Sequence, residues 1–304
     1  MSSLGAGKQH SATSPTGSTG EAAAARGWVA RRPLTAFLVL VFGIGWPILG
    51  VAVLAKYHVI PGAGLPVELF ALAVTLLVML PAALGVAAAT DGRAGVRVLL
   101  GRAFRWRFGL GWWGLVLLGL PGTALALGLV FGGSLRTADA GAVLLRQLAS
   151  ILLAVAVINL WEETVWAGFF QTRLERRFGF LLAAVLTAVP FAGVHMPLLL
   201  LGADVSVRSV LAGIGGLLIL AVVVRLLVGL VMRAAADSVL AVGVLHQVFD
   251  ASNNRGGVVD SFLDGADAGV VTLVATVLLA GAVAAVGRRR PGFFGRRGSA
   301  ATPP

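Results

Sequence analysis

Long apolar segments separated by short polar ones occupy almost the whole chain. Predominantly apolar stretches run at about residues 35–55, 66–89, 110–132, 143–169, 180–201, 209–232, 238–251 and 268–287. Most reach the ~20 residues that carry an α-helix across the hydrocarbon core of a bilayer at 1.5 Å per residue. The pattern predicts an all-α fold, a polytopic transmembrane helix bundle of about eight spans. The seventh segment is short and turns polar at its end, so it is expected to be tilted, broken or packed wholly within protein. Residues 1–30, rich in Ser, Gly, Ala and Thr and without periodicity, are expected as a disordered tail, residues 31–290 as one membrane domain, and residues 291–304 as a second disordered tail. The apolar run that follows RGWVARR is longer than the core of a signal peptide and has no small-residue cleavage site, which makes it a retained first span. There is no internal repeat, no glycine-rich phosphate loop and no second domain.

Composition sharpens this picture. Of 304 residues, 58% are hydrophobic and 12% charged, which is too apolar for a soluble domain. Cysteine is absent, which excludes disulfides, thiolate metal sites and a cysteine nucleophile. The net charge of +11 would suggest nucleic acid in a soluble protein, but here the basic residues sit between spans, so nucleic-acid binding is not expected. With the N-terminus in the cytoplasm, 18 of the 24 Lys and Arg fall on the cytoplasmic side, so the positive-inside rule puts both termini there in the cell membrane. Residues 91–109, in which arginines alternate with apolar and aromatic residues, read as a helix lying at that interface. The alanine content and the preference for Arg over Lys fit a bacterial sequence of high GC content.

Apart from Glu68 and Arg146 at span ends, ionisable residues inside the predicted spans are few: Glu162 and Glu163 in the fourth, His195 in the fifth, Arg225 in the sixth, and His246 and Asp250 in the seventh. A charged side chain at the bilayer centre costs ~2.5–3.5 kcal/mol, so such a set is retained where the groups face one another, water or a metal. His246 and Asp250 stand four residues apart and share a helix face, as do Phe191 and His195. Pro190 and Pro197 bracket His195 and loosen the backbone there. A glutamate in a dry pocket can act as general base on water and return the proton to a leaving amine. Nearby histidines can stabilise an oxyanion, or ligate a zinc ion that keeps one position open for water. Glu162, His195 and His246 are the candidate ligands in that case. No HExxH occurs. Arg225 reads as a structural counter-ion, Trp161, Trp166, Phe169 and Phe170 as packing or interface aromatics, and the GIGG at 213–216 as a site of close helix packing.

Three motifs in order, EETVWAGFF from Glu162, FAGVH ending at His195 and HQVFD from His246 to Asp250, resemble those of the CPBP family. This family comprises the CAAX prenyl endopeptidases of the Ras-converting type and the bacterial Abi or bacteriocin-processing homologues. The resemblance covers residues 150–255. It implies an intramembrane endopeptidase that cuts a membrane-associated or lipidated peptide near the cytoplasmic face, with the bilayer and that substrate as its partners. By the same resemblance Glu162 activates water, Glu163 supports it, His195 and His246 face the oxyanion or a metal, and Asp250 orients the site. The family is described both as glutamate-dependent and as metal-dependent. This chain departs from the usual E-E-x-x-x-R by carrying Ala167 in place of the arginine, and Asp250 replaces a commoner Asn. Arg173 and Arg225 are the candidate substitutes for the lost charge. The alternative reading is a non-catalytic or ion- or solute-binding membrane protein of the same fold. Oligomeric state is not legible in the sequence.

Overall fold

The computed structural model describes residues 27–62, 64–203 and 205–298, and these are overwhelmingly helical. Residues 1–26 of the expected N-terminal tail, and residues 299–304 of the C-terminal one, lie outside the described residues. The long helices are α1 (Pro33–Lys56), α2 (Val67–Ala103), α3 (Leu110–Val130), α4 (Ala140–Phe178), α5 (Phe180–Leu201), α6 (Val207–Ala234), α7 (Val239–Asn253) and α8 (Ala268–Gly287), with a short turn of helix at Val258–Phe262. Seven of them are long and apolar enough to cross a membrane. The exception is α7, with 15 residues, most of them buried. The segment expected at 238–251 is therefore the one packed within protein, where the ionisable groups it carries, His246 and Asp250, can meet partners on neighbouring helices.

Local chemistry sets several boundaries. Pro33 opens α1 at a position where no amide hydrogen is required. Ser206 and Ser209 form a reciprocal capping pair at the start of α6, and Ser238 caps α7 by accepting from the Ala241 amide at 3.0 Å. Gly92, at φ +65°, interrupts α2 where a side-chain-bearing residue would be strained. Beyond this break the arginine-rich segment follows, with Val98, Phe104 and Trp106 exposed as an interfacial helix requires. Arg102 departs from the expected pattern. It is buried and donates to the Gly168 carbonyl at 3.0 Å and to the Thr172 hydroxyl at 3.1 Å.

Helix α4 runs between two apolar clusters. Leu160 and Ala167 belong to the one built around α7, whereas Val165, Trp166, Phe169 and Phe170 pack on Phe37 of α1 and the neighbouring face of α2. Phe37 meets Trp166 edge-on at 5.8 Å, so these aromatics serve packing, as their sequence suggests. Gly243 and Gly168 permit the close approach of α7 to α4. A Cβ on Gly243 would lie 3.0 Å from the Leu160 Cα, and one on Gly168 would lie 3.1 Å from Val239. In the GIGG segment only Gly213 meets a neighbour, with a Cβ there 3.0 Å from the Leu199 side chain of α5, whereas at Gly215 and Gly216 nothing lies within 4 Å. Leu77, Leu118, Leu152, Leu181 and Ile219 face outward, an apolar exterior that suits lipid.

The bundle has two chemically distinct ends. At one, Arg105, Arg233 and Arg297 join the α2–α3 and α6–α7 connections and the C-terminal segment. Arg233 Nη2 pairs with Glu175 at 2.7 Å, and Arg297 bridges Glu175 and Asp237. Burial disfavours the Asp237 charge, but the Arg297 and Arg102 guanidinium groups outweigh it and hold its carboxyl below the usual aspartate range. Residues 291–298, expected in a loose tail, lie against this end, with Phe293 buried and Phe294 edge-on to Phe180 at 5.9 Å. At the opposite end Lys56 donates to the Leu200 carbonyl at 3.1 Å. Gln147 donates to the Gly256 carbonyl at 2.7 Å, and β1 (Ser134–Leu135) pairs antiparallel with β2 (Leu263–Asp264).

Candidate functional site

The four helices α4, α5, α6 and α7 bring the intramembrane ionisable residues together. Glu162 and Glu163 follow one another on α4, so their side chains leave the helix about 100° apart and meet different neighbours. Glu162 faces His195 of α5, with Oε1 3.7 Å from Nε2. Glu163 faces α6 and α7. Its two oxygens accept from Arg225 Nη2 at 2.6 and 2.7 Å, and His246 Nδ1 makes an ion-pair contact with Oε1 at 2.8 Å. Both Glu163 and Arg225 are fully buried. Each neutralises the other where neither could stand alone, since an unpaired buried charge costs several kcal/mol.

The two histidines are oriented differently. His195 closes the α-helical part of α5, and its Nδ1 lies 2.7 Å from the Phe191 carbonyl oxygen. A carbonyl only accepts, so Nδ1 carries the hydrogen and Nε2 is the nitrogen turned to Glu162. His246 uses Nδ1 against Glu163, and its Nε2 stands 3.8 Å from Asp250 Oδ2 on the next turn of α7. Asp250 in turn accepts from Asn159 Nδ2 at 3.3 Å. Phe191 is the common floor, with its ring 5.0 Å from that of His195, 5.8 Å from that of His246, and 4.8 Å from the Arg225 guanidinium carbon.

A cavity of about 210 Å³ opens onto this group. Glu162, Asn159, His195 and Asp250 supply its polar wall, and Val74, Met79 and Leu198 are among its apolar residues. A smaller cavity of about 130 Å³ shares His195 and Asp250 and is otherwise walled by His246 and by aliphatic and aromatic side chains such as Leu220, Val224 and Phe249. Asp250 and His195 thus stand between a partly polar chamber and an apolar one. Their side chains, at 37% and 32% exposure, are accessible where Glu163 is not.

Of the residues predicted from sequence, Glu162, Glu163, His195, His246 and Asp250 all gather here, Glu162 with His195 and Glu163 with His246, which also faces Asp250. Of the two arginines weighed against the missing motif arginine, Arg225 reaches Glu163, whereas Arg173 bonds Asp91 and Thr90 at the arginine-rich end. Ala167 itself is buried in the cluster around α7. Asn159 was not anticipated. Its signal was present, as a polar residue three positions before Glu162 on the same helix face. Among the described residues no three His, Asp or Glu side chains converge as the ligands of a metal ion would. Glu162 and His195 approach as a pair, but His246 is turned onto Glu163, so the set expected for zinc is not gathered around one point.

Comparison with known proteins agrees with the motifs. No curated protein matches the chain. Residues 144–252, which hold Glu162, Glu163, His195, Arg225, His246 and Asp250, match a protein family described as type II CAAX prenyl endopeptidase, Rce1-like. That segment of the bundle, which holds every residue of the site, is thus similar to the Rce1-like CAAX prenyl endopeptidases, the family that its three motifs resemble.

Proposed function

We propose that the protein is an intramembrane endopeptidase that hydrolyses a peptide bond of a membrane-associated or lipidated peptide. The observation that carries the reading is the pairing of Glu162 Oε1 with His195 Nε2 at 3.7 Å on the wall of a cavity. At that spacing one water molecule can touch both atoms within ordinary hydrogen-bond distances. Glu162 takes a proton from this water as the oxygen attacks the carbonyl carbon of the scissile amide. The carbon–oxygen bond forms, and the carbonyl electrons move onto its oxygen. His246, braced by Glu163 on one ring nitrogen, offers the other to that oxyanion. Collapse of the intermediate breaks the carbon–nitrogen bond, and Glu162 returns its proton to the leaving amine. Asp250 and Asn159 orient the His246 side of the site. A peptide crossing from the larger cavity to the smaller would pass His195 and Asp250, and the smaller chamber suits an aliphatic side chain.

Ala167 supports the alternative, a non-catalytic or solute-binding protein, only if the charge of the motif arginine is lost. Arg225 supplies a charge to Glu163 from another helix, and this favours the protease. The test is cleavage of a peptide library by the purified protein in liposomes, with and without a chelator. Glu162→Gln is expected to lower the rate by ~10²–10⁴-fold, the usual contribution of a general base. Cleavage that is unchanged by the substitution would overturn the proposal, and the chelator arm decides between glutamate and zinc chemistry.

A further inference from the structure

The arginine-rich end holds a cavity that the candidate site does not use. It opens to about 260 Å³ between α2, on both sides of its break at Gly92, and the C-terminal part of α4. Arg102, Arg173 and Arg176 line it, and Asp91 is the only carboxylate among the lining residues. That carboxylate is taken by Arg173, which pairs with it and lies over the Phe169 ring at 4.1 Å. Two of the three guanidinium groups are left without a counter-charge in the cavity wall.

Arg102 is only 8% exposed, yet it has no ion pair among the described residues. Its hydrogen bonds run to neutral acceptors, which are the Gly168 and Asp237 carbonyls, the Thr172 hydroxyl and the Met232 sulfur. One hydrogen on Nη1 has no acceptor among them. The Asp237 carboxylate acts on Arg102 from nearby, but Arg297 bonds it. Arg176 is exposed, forms no ion pair among the described residues, and repels both Arg102 and Arg173. Like charges around a concave, partly dry wall raise the local potential, and an anion seated between them relieves it. The forked donors of a guanidinium fit phosphate oxygens in particular.

The facing wall is apolar. Ala87 and Leu99 are buried in it, and Val98 stands 60% exposed at its edge. A dissolved phosphate ion gains nothing from such a wall, whereas a phospholipid brings a phosphate and an apolar tail together. We propose that this cavity binds the headgroup phosphate of an anionic phospholipid, with Arg102 and Arg176 on the phosphate and the start of the lipid tail against Val98. Basic pockets between membrane helices at the headgroup level suit this ligand. Arg102 already ties α2 to Gly168 and Thr172 of α4, so a bound lipid braces these two helices beyond the wide turns that follow Glu163. The proposal does not rest on the protease reading.

The test uses the full chain in mild detergent, with native mass spectrometry and the unfolding midpoint as readouts. Phosphatidylglycerol, phosphatidylcholine and inorganic phosphate are the probes. Phosphatidylglycerol is expected to stay bound and raise the midpoint, and the other two at equal concentration are expected to do neither. Arg176→Gln, a change at an exposed position, should weaken phosphatidylglycerol binding about fivefold or more, and Arg102→Gln should do the same. Arg176→Gln decides the matter if the buried Arg102→Gln fails to fold. Arg288→Gln removes the same charge just beyond α8, outside the cavity, and should leave binding unchanged. Equal binding of the two lipids, or an equal loss with Arg288→Gln, would reveal a diffuse basic surface and overturn the proposal. Equal protection by inorganic phosphate would make this a site for a dissolved anion and overturn the lipid.

Discussion

Glu163 and Arg225 lie 62 positions apart and share no exposed surface, yet each is the other's main charge partner. Removing one leaves the other buried and unpaired, which costs ~3–5 kcal/mol, whereas removing both and restoring apolar volume is far less damaging. Arg225→Met is therefore expected to lower the unfolding midpoint sharply in detergent. The double variant Glu163→Leu with Arg225→Met is expected to recover much of that stability while losing activity, because His246 loses its brace. Equal melting of single and double variants would refute the coupling. The five candidate residues were legible because ionisable groups in apolar spans are costly and conspicuous. The choice between Arg225 and Arg173 as the charge partner was not, because it depends on the rotation of α4 and α6 about their axes, which no local spacing reveals.

Among the elements, α7 contributes most to the site relative to its length. It is too short and too enclosed to resemble a membrane span, and it carries His246 and Asp250 into the bundle from the arginine-rich end. Gly243 sets its distance from α4, with backbone atoms of Leu160 and Asn159 where a side chain would begin. Gly243→Val is expected to cost ~1–3 kcal/mol by overpacking and to impair cleavage, since it separates Glu163 from His246. Gly215→Ala, with open space around it, is the neutral control. Equal thermal stability and activity of the two variants would contradict this account of the contact. The helices and their order were readable from hydrophobic runs. Which glycines close the interfaces was not, since Gly215 and Gly216 differ from Gly213 and Gly243 only in what happens to face them. The wide, π-type turns over 164–171 that follow the two acids also leave no mark in the sequence.

At the scale of the molecule, the C-terminal segment fastens two of the four site-bearing helices, α4 and α7, at their arginine-rich ends. Glu175 belongs to α4, Asp237 immediately precedes α7, and Arg297 bonds both. Because the Asp237 carboxyl is held below its ordinary value of 3.8, the clasp contributes stability above that pH and loses it as the pH falls through the lowered value. Hydrogen exchange of residues 288–298 should be slow at neutral pH and rise in that acid range, and Arg297→Ala should raise it at neutral pH. Protection indifferent to both would show that the clasp does not hold.

Glu162 and His195 are central to the whole account, and the most direct measurement is their coupling in single-turnover peptide cleavage. Glu162→Gln, His195→Ala and the double variant are compared with the unmodified protein, with melting curves to confirm folding. Two groups acting on one water molecule behave as a unit, so the double variant should be no slower than the slower single one. Rates that multiply across the two substitutions, or that match the unmodified protein, would contradict a shared catalytic role.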